Sequence, residues 1–93
     1  MNKKKLKKAR REIDKIDNSI FKLIKKRFII VKYMLSLKSF KSDIIDHKRI
    51  NVIFKNIKRK STQNKVDISV TQKIWKAMIW AFVDYQRRNF KKK

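Results

Sequence analysis

From Leu6 to Lys38 the chain runs without a helix breaker, and the whole sequence contains no glycine and no proline. Rigid corners and turns that need positive φ are therefore scarce, and long uninterrupted helices are favoured. Apolar residues recur along this stretch at helical spacing. Ile13 and Ile20 form one heptad series, and Ile16, Leu23 and Ile30 form a second that interleaves with it. At 1.5 Å per residue the helix spans on the order of 45–50 Å, whereas a compact chain of this size has a diameter of about 30 Å. Its apolar seam runs the full length and overhangs any core that one chain can build. A second chain is the simplest cover, so the expected architecture is an intertwined homodimeric helical bundle, all-α, with a very long first helix in each chain.

Two shorter helices follow. Ser39-Phe-Lys-Ser-Asp43 is a polar stretch that stops the first helix. Asp46 is an N-cap candidate for the second, in which Ile50, Ile53, Phe54 and Ile57 keep an i, i+3, i+4, i+7 rhythm. Ser61 to Asp67 reads as the second loop. Asp67 or Ser69 caps a third helix reaching about Phe90, with Val70, Ile74, Met78, Ala81 and Tyr85 along one side. The 93 residues make a single helical domain, with the lysine-rich ends at 1–5 and 91–93 expected to fray.

Composition removes several classes of function. Without cysteine there are no disulfides, thiolate metal sites or cysteine nucleophiles. No apolar run approaches the roughly 18 residues of a membrane span, and no apolar segment follows the basic start, so a cytoplasmic protein with no membrane association is expected. The formal charge of +22 invites a nucleic-acid reading. It competes with drift toward Lys, Ile and Asn that leaves solvated basic faces. The charge is scattered over the chain, mostly as lysine, so any nucleic-acid affinity would be non-specific and salt-dependent.

The informative residues are polar ones on apolar faces. Arg27 occupies the heptad position after Ile20, where the pattern calls for an aliphatic side chain. Lys38, eleven residues on, falls within about 20° of the same face of a continuous helix. One arginine at a seam can snorkel or fix register. A second cation beside it is harder to explain that way. In the third helix Trp75, Ile79, Phe82 and Gln86 form a stripe at 4-3-4 spacing that ends in an uncharged amide, which is costly to bury unless hydrogen-bonded. His47, the only histidine, stands in a polar context and is read as surface. The seven acidic residues show no carboxylate pair or metal-ligand spacing, so neither a metal nor a cofactor is expected. Two seam cations and an amide describe a pocket for an anion without a nucleophile or general base. Such a pocket works by holding a charged substrate in a reactive shape and stabilising developing charge, as pericyclic reactions require. Nucleic-acid binding would instead need its cations on an exposed face.

Ala9-Arg-Arg-Glu-Ile-Asp-Lys-Ile-Asp17, followed by Ile20, Leu23, Arg27 and Lys38, resembles the first helix of the all-helical chorismate mutases and their relatives, the isochorismate pyruvate lyases. Asp46-His-Lys-Arg49 is similar to the D-x-x-R start of that family's second helix. Gln86 falls where its third helix carries a catalytic glutamine. The resemblance covers about residues 6–90. It implies an intertwined dimer of three-helix chains with two sites, each built from both chains, acting on a dianionic small molecule, chorismate or isochorismate. By the same resemblance Arg27, and Arg10 of a second copy, would bind the two carboxylates as charge-assisted pairs. Periodicity agrees, since Arg10 points about 100° away from Arg27 on one helix. Lys38 and Gln86 would donate to the ether oxygen as its C–O bond breaks. Asp46 and Arg49 would organise the mouth, with Ile50, Ile79, Phe82 and Val83 among the substrate-binding residues.

Two positions depart from the mutase pattern. The residue after Arg49 is usually Glu in mutases, where it helps to bind the ring hydroxyl; here it is Ile50. A small hydroxylic residue four before the glutamine is replaced by Phe82. Both changes make the pocket more apolar and resemble the lyases. The reading is chorismate rearrangement to prephenate in aromatic amino acid biosynthesis, with isochorismate pyruvate lyase chemistry as the close alternative and a basic nucleic-acid-binding helical protein as the non-enzymatic one.

Overall fold

A computed structural model describes residues 2–92 of the chain. Among them there are three α-helices and one short turn of 3-10 helix, and no strands: α1 is Lys3–Ser36, α2 is His47–Gln63 and α3 is Ile68–Asn89, with the 3-10 turn at Lys41–Asp43. The all-α expectation with an overlong first helix holds. The structure divides into two units, one up to Tyr33 and one from Met34 onward.

The first unit is a single run of helix. It begins at Lys3, so Lys3, Lys4 and Lys5, expected as part of a frayed end, lie in the helix, whereas Asn2, Lys91 and Lys92 lie outside any helix; for Met1 and Lys93 the expectation falls outside the described residues. The first turn carries no acidic residue to complement the helix dipole. Along α1 no residue is buried. Ile13, Ile16, Ile20, Leu23 and Ile30, the two heptad series, are all exposed. Locally the helix is braced by its own side chains, as where the Lys32 ammonium lies 5.8 Å from the centre of the Phe28 ring one turn away.

The second unit is a helical hairpin in which α2 packs on α3. Both helices start on aspartate caps: Asp46 as the sequence suggests, and Asp67 of the two candidates, Asp67 and Ser69, that the sequence offers. The Asp46 carboxylate accepts from the Arg49 backbone N–H at 2.9 Å, and the Asp67 carboxylate accepts from that of Val70 at 3.1 Å. Ile50, Ile53, Phe54 and Ile57 are half-buried, so the rhythm of α2 does mark its inward face. On α3 the stripe of Ile79, Phe82 and Gln86 is buried together with Val83, and Trp75 is half-buried. The other side read from the sequence is wetter, with Val70 and Ile74 about half exposed at 52% and 54%.

Two boundaries differ from the sequence reading. The second helix continues through Ser61 and Thr62 to Gln63, because Ser61 is buried and fully bonded. Its hydroxyl donates to the Ile57 carbonyl at 2.6 Å and lies 2.7 Å from the Thr71 hydroxyl, which ties the end of α2 to the start of α3. The first helix ends at Ser36, before Lys38. The Leu37 and Lys38 backbone N–H groups bond to Met34 and Leu35 carbonyls three residues back, which tightens the chain out of the α-helix. Lys38 therefore lies two residues past the end of α1.

Candidate active site

Once off the helix, Lys38 reaches α3. Its Nζ donates to Gln86 Oε1 at 2.7 Å, across 48 residues of sequence. Gln86 is 6% exposed and Lys38 is half-buried. An ammonium can only donate, so the amide oxygen must face it, and this fixes the amide orientation. The other end, Nε2, donates to the Phe82 carbonyl one turn back at 3.3 Å. The costly buried amide is thereby satisfied on both sides. One ammonium hydrogen is held by Gln86 and the other two are oriented by that bond.

Burial pushes the Lys38 ammonium below its ordinary value of 10.5, and the carboxylates of Asp43 and Asp46 oppose that shift. Asp43 was not among the residues singled out from sequence. It closes the 3-10 turn, its carboxylate accepting from the Phe40 N–H at 3.1 Å while its own N–H donates to the Phe40 carbonyl at 3.0 Å. Ile44, next in the chain, is 5% exposed and pins the turn into the core.

The remaining sequence candidates fall into two groups. In the second unit, Ile79, Phe82 and Val83 are buried on the same helix as Gln86 and form its apolar surroundings. Asp46 and Arg49 are exposed at the start of α2, linked by the cap, and Ile50 follows half-buried. His47 is exposed, as read. In the first unit, Arg27 is half-buried and Arg10 is exposed, both on α1. Seventeen helical residues separate these two, about 25 Å of axial rise. A single copy of the helix cannot place both on one small ligand.

A groove of about 480 Å³ lies elsewhere in the hairpin, lined by Phe54, Ser69, Gln72, Lys73 and Lys76. It holds none of the candidate residues, and both its lysines are exposed. No helix among the described residues is long and apolar enough to cross a membrane.

The family model for chorismate mutase type II matches residues 9–87. The match takes in most of α1, all of α2 and nearly all of α3, including every candidate residue named above. The chain belongs to the type II chorismate mutase family, whose members carry chorismate mutase-type function. Neither curated proteins nor solved structures give a significant match.

Proposed function

We propose that this protein is a chorismate mutase that rearranges chorismate to prephenate within a homodimer whose two sites are each completed by the second copy. The observation that carries the reading is the Lys38–Gln86 pair: a half-buried ammonium, oriented by a buried amide, on an apolar helix surface. In the rearrangement the ether C–O bond breaks as a C–C bond forms within the same molecule, and negative charge grows on the ether oxygen. No group is transferred to the protein, so a fixed cationic donor and an enforced conformation suffice. Lys38 supplies the donor. Gln86 holds it, and its own N–H face is the second candidate for the oxygen. Arg27 and Arg10 of the second copy take the two carboxylates, which the axial separation of these arginines on one helix supports. Asp46 and Arg49 shape the entrance, and Ile50, Ile79, Phe82 and Val83 make the wall apolar.

The dimer is supported by the exposed seam of α1. Burying side chains such as Ile13, Ile16, Ile20 and Leu23 contributes about 1.5–3 kcal/mol each, far more than a solvated seam returns. The single-domain reading is the same proposal seen from one chain, since α1 then shares its core with a partner's helices.

Isochorismate pyruvate lyase activity is the second reading, favoured by the residue Ile50. In that reaction the same C–O bond breaks while a ring hydrogen passes to the departing enolpyruvyl carbon, giving salicylate and pyruvate. The cationic set serves either substrate. Purified protein offered each substrate separately, and scored for prephenate and for salicylate plus pyruvate, distinguishes the two. Turnover of neither substrate overturns the reading.

A further inference from the structure

We propose that Asp43 is a positioning residue for Lys38, closing the turn that follows it in the chain and supplying the counter-charge that the neutral Gln86 amide does not. The inference rests on the reading of Lys38 as the cationic donor of the site.

Lys38 lies just past the regular helix, its backbone N–H still bonded to the Leu35 carbonyl, so its place is set by the last turn of α1 together with the connecting segment. That segment is short and closed on itself. The reciprocal bonds between Phe40 and Asp43 fold it into one 3-10 turn directly after Lys38, and the buried Ile44 anchors the far end. Removing the Asp43 acceptor frees the Phe40 N–H and loosens the turn at its hinge.

Charge gives the second argument. An ammonium withdrawn from water against an uncharged amide is inadequately compensated. The groups that bear on it are Gln86 from α3, Asp43 from the turn and Asp46 from the cap of α2. Of the two carboxylates Asp43 has the larger effect; each also accepts a backbone N–H, Asp43 from Phe40 and Asp46 from Arg49. The neighbouring Lys41, His47 and Arg49 are exposed and add no negative charge. Asp43 thus couples a hydrogen bond that fixes the backbone to a charge that favours the protonated amine. Because it acts through Lys38, it needs no contact with substrate.

The test separates these roles by keeping the acceptor and deleting the charge. Asp43→Asn and Asp43→Ser each retain an oxygen for the Phe40 N–H, and Asp43→Glu retains the charge. The readout is the pH at which the Lys38 side-chain NMR signal titrates in the full-length protein, assigned with Lys38→Arg. Both neutral variants should shift that titration to lower pH, and Asp43→Glu should keep it near the parent. In turnover, the loss of kcat/KM caused by Asp43→Asn should deepen as pH rises. A Lys38 titration unmoved in a neutral variant that keeps its helical circular dichroism overturns the proposal. So does a rate loss that is equal at every pH, which a purely structural turn would give. If the parent turns over neither substrate, the proposed function fails while the titration still decides the case of Asp43.

Discussion

At the scale of single residues the site is a matter of which donor meets which acceptor. Lys38 is the residue on which most depends. Lys38→Ala removes the proposed donor to developing negative charge and strips the buried Gln86 oxygen of its partner. Loss of one such donor costs about 10²–10³ in turnover, so kcat of the variant should fall by that order when measured on whichever substrate the parent accepts. Unaltered turnover would exclude the assigned role. The role proposed for Ile50 concerns a different quantity, the choice between substrates. An apolar side chain leaves the chorismate ring hydroxyl without an acceptor, and an unpaired buried polar group costs about 1–3 kcal/mol. Ile50→Glu should therefore move the ratio of kcat/KM for chorismate over isochorismate upward by one to two powers of ten. A ratio that stays put would make Ile50, half-buried at the start of α2, a packing residue only.

At the scale of elements, the lack of glycine leaves a mark. The end of α2 is a Schellman arrangement: Val66 N–H bonds the Ser61 carbonyl at 2.9 Å, and Lys65 N–H bonds the Thr62 carbonyl at 3.4 Å. The geometry requires a left-handed residue, usually glycine, and here Lys65 takes it with φ of 55°. Sequence composition suggested that such turns would be scarce, and among the described residues this is the one non-glycine position with positive φ. A side chain in that conformation costs about 1–2 kcal/mol. Lys65→Gly should raise stability by about 1 kcal/mol, since part of the gain is offset by glycine's greater freedom in the unfolded chain. Denaturant melts would show it as a higher midpoint at unchanged slope; a lower midpoint would mean the Lys65 side chain contributes more than its strain. The caps at Asp46 and Asp67 are the opposite case, where a short-range pattern and the observed bond coincide.

For the whole molecule the decisive quantity is the apolar surface of α1. Its two heptad series are exposed in the single chain, with Leu23 at 62% and Ile30 at 58%. With a net charge of +22 the copies repel one another over most of their surface. Association in the proposed dimer would therefore come from the apolar seam and should strengthen with added salt, which screens the repulsion. Sedimentation at micromolar concentration should give about twice the chain mass, and more completely at higher ionic strength. A well-folded monomer under both conditions would remove the second copy's Arg10 from the site and the shared-site reading with it.

The sequence by itself determined the local features. Helix periodicity, the aspartate caps and the buried 4-3-4 stripe ending at Gln86 each depend on residues within a turn or two, where spacing and side-chain chemistry suffice. The family assignment was legible for the same reason, as an ordered set of short motifs. Tertiary structure decided what depends on distant groups. Ser61 and Thr62 read as loop because their polarity is unfavourable for a helix end in isolation; the Thr71 hydroxyl on the next helix gives Ser61 a partner and lets α2 continue. Lys38 read as a seam residue because an unbroken pattern gives no reason to stop. The helix nevertheless ends at Ser36, and an acceptor 48 residues away receives the ammonium. Asp43 was invisible for the same reason: the role proposed for its carboxylate depends on the turn that it closes after Lys38 and on the bond from Lys38 to α3.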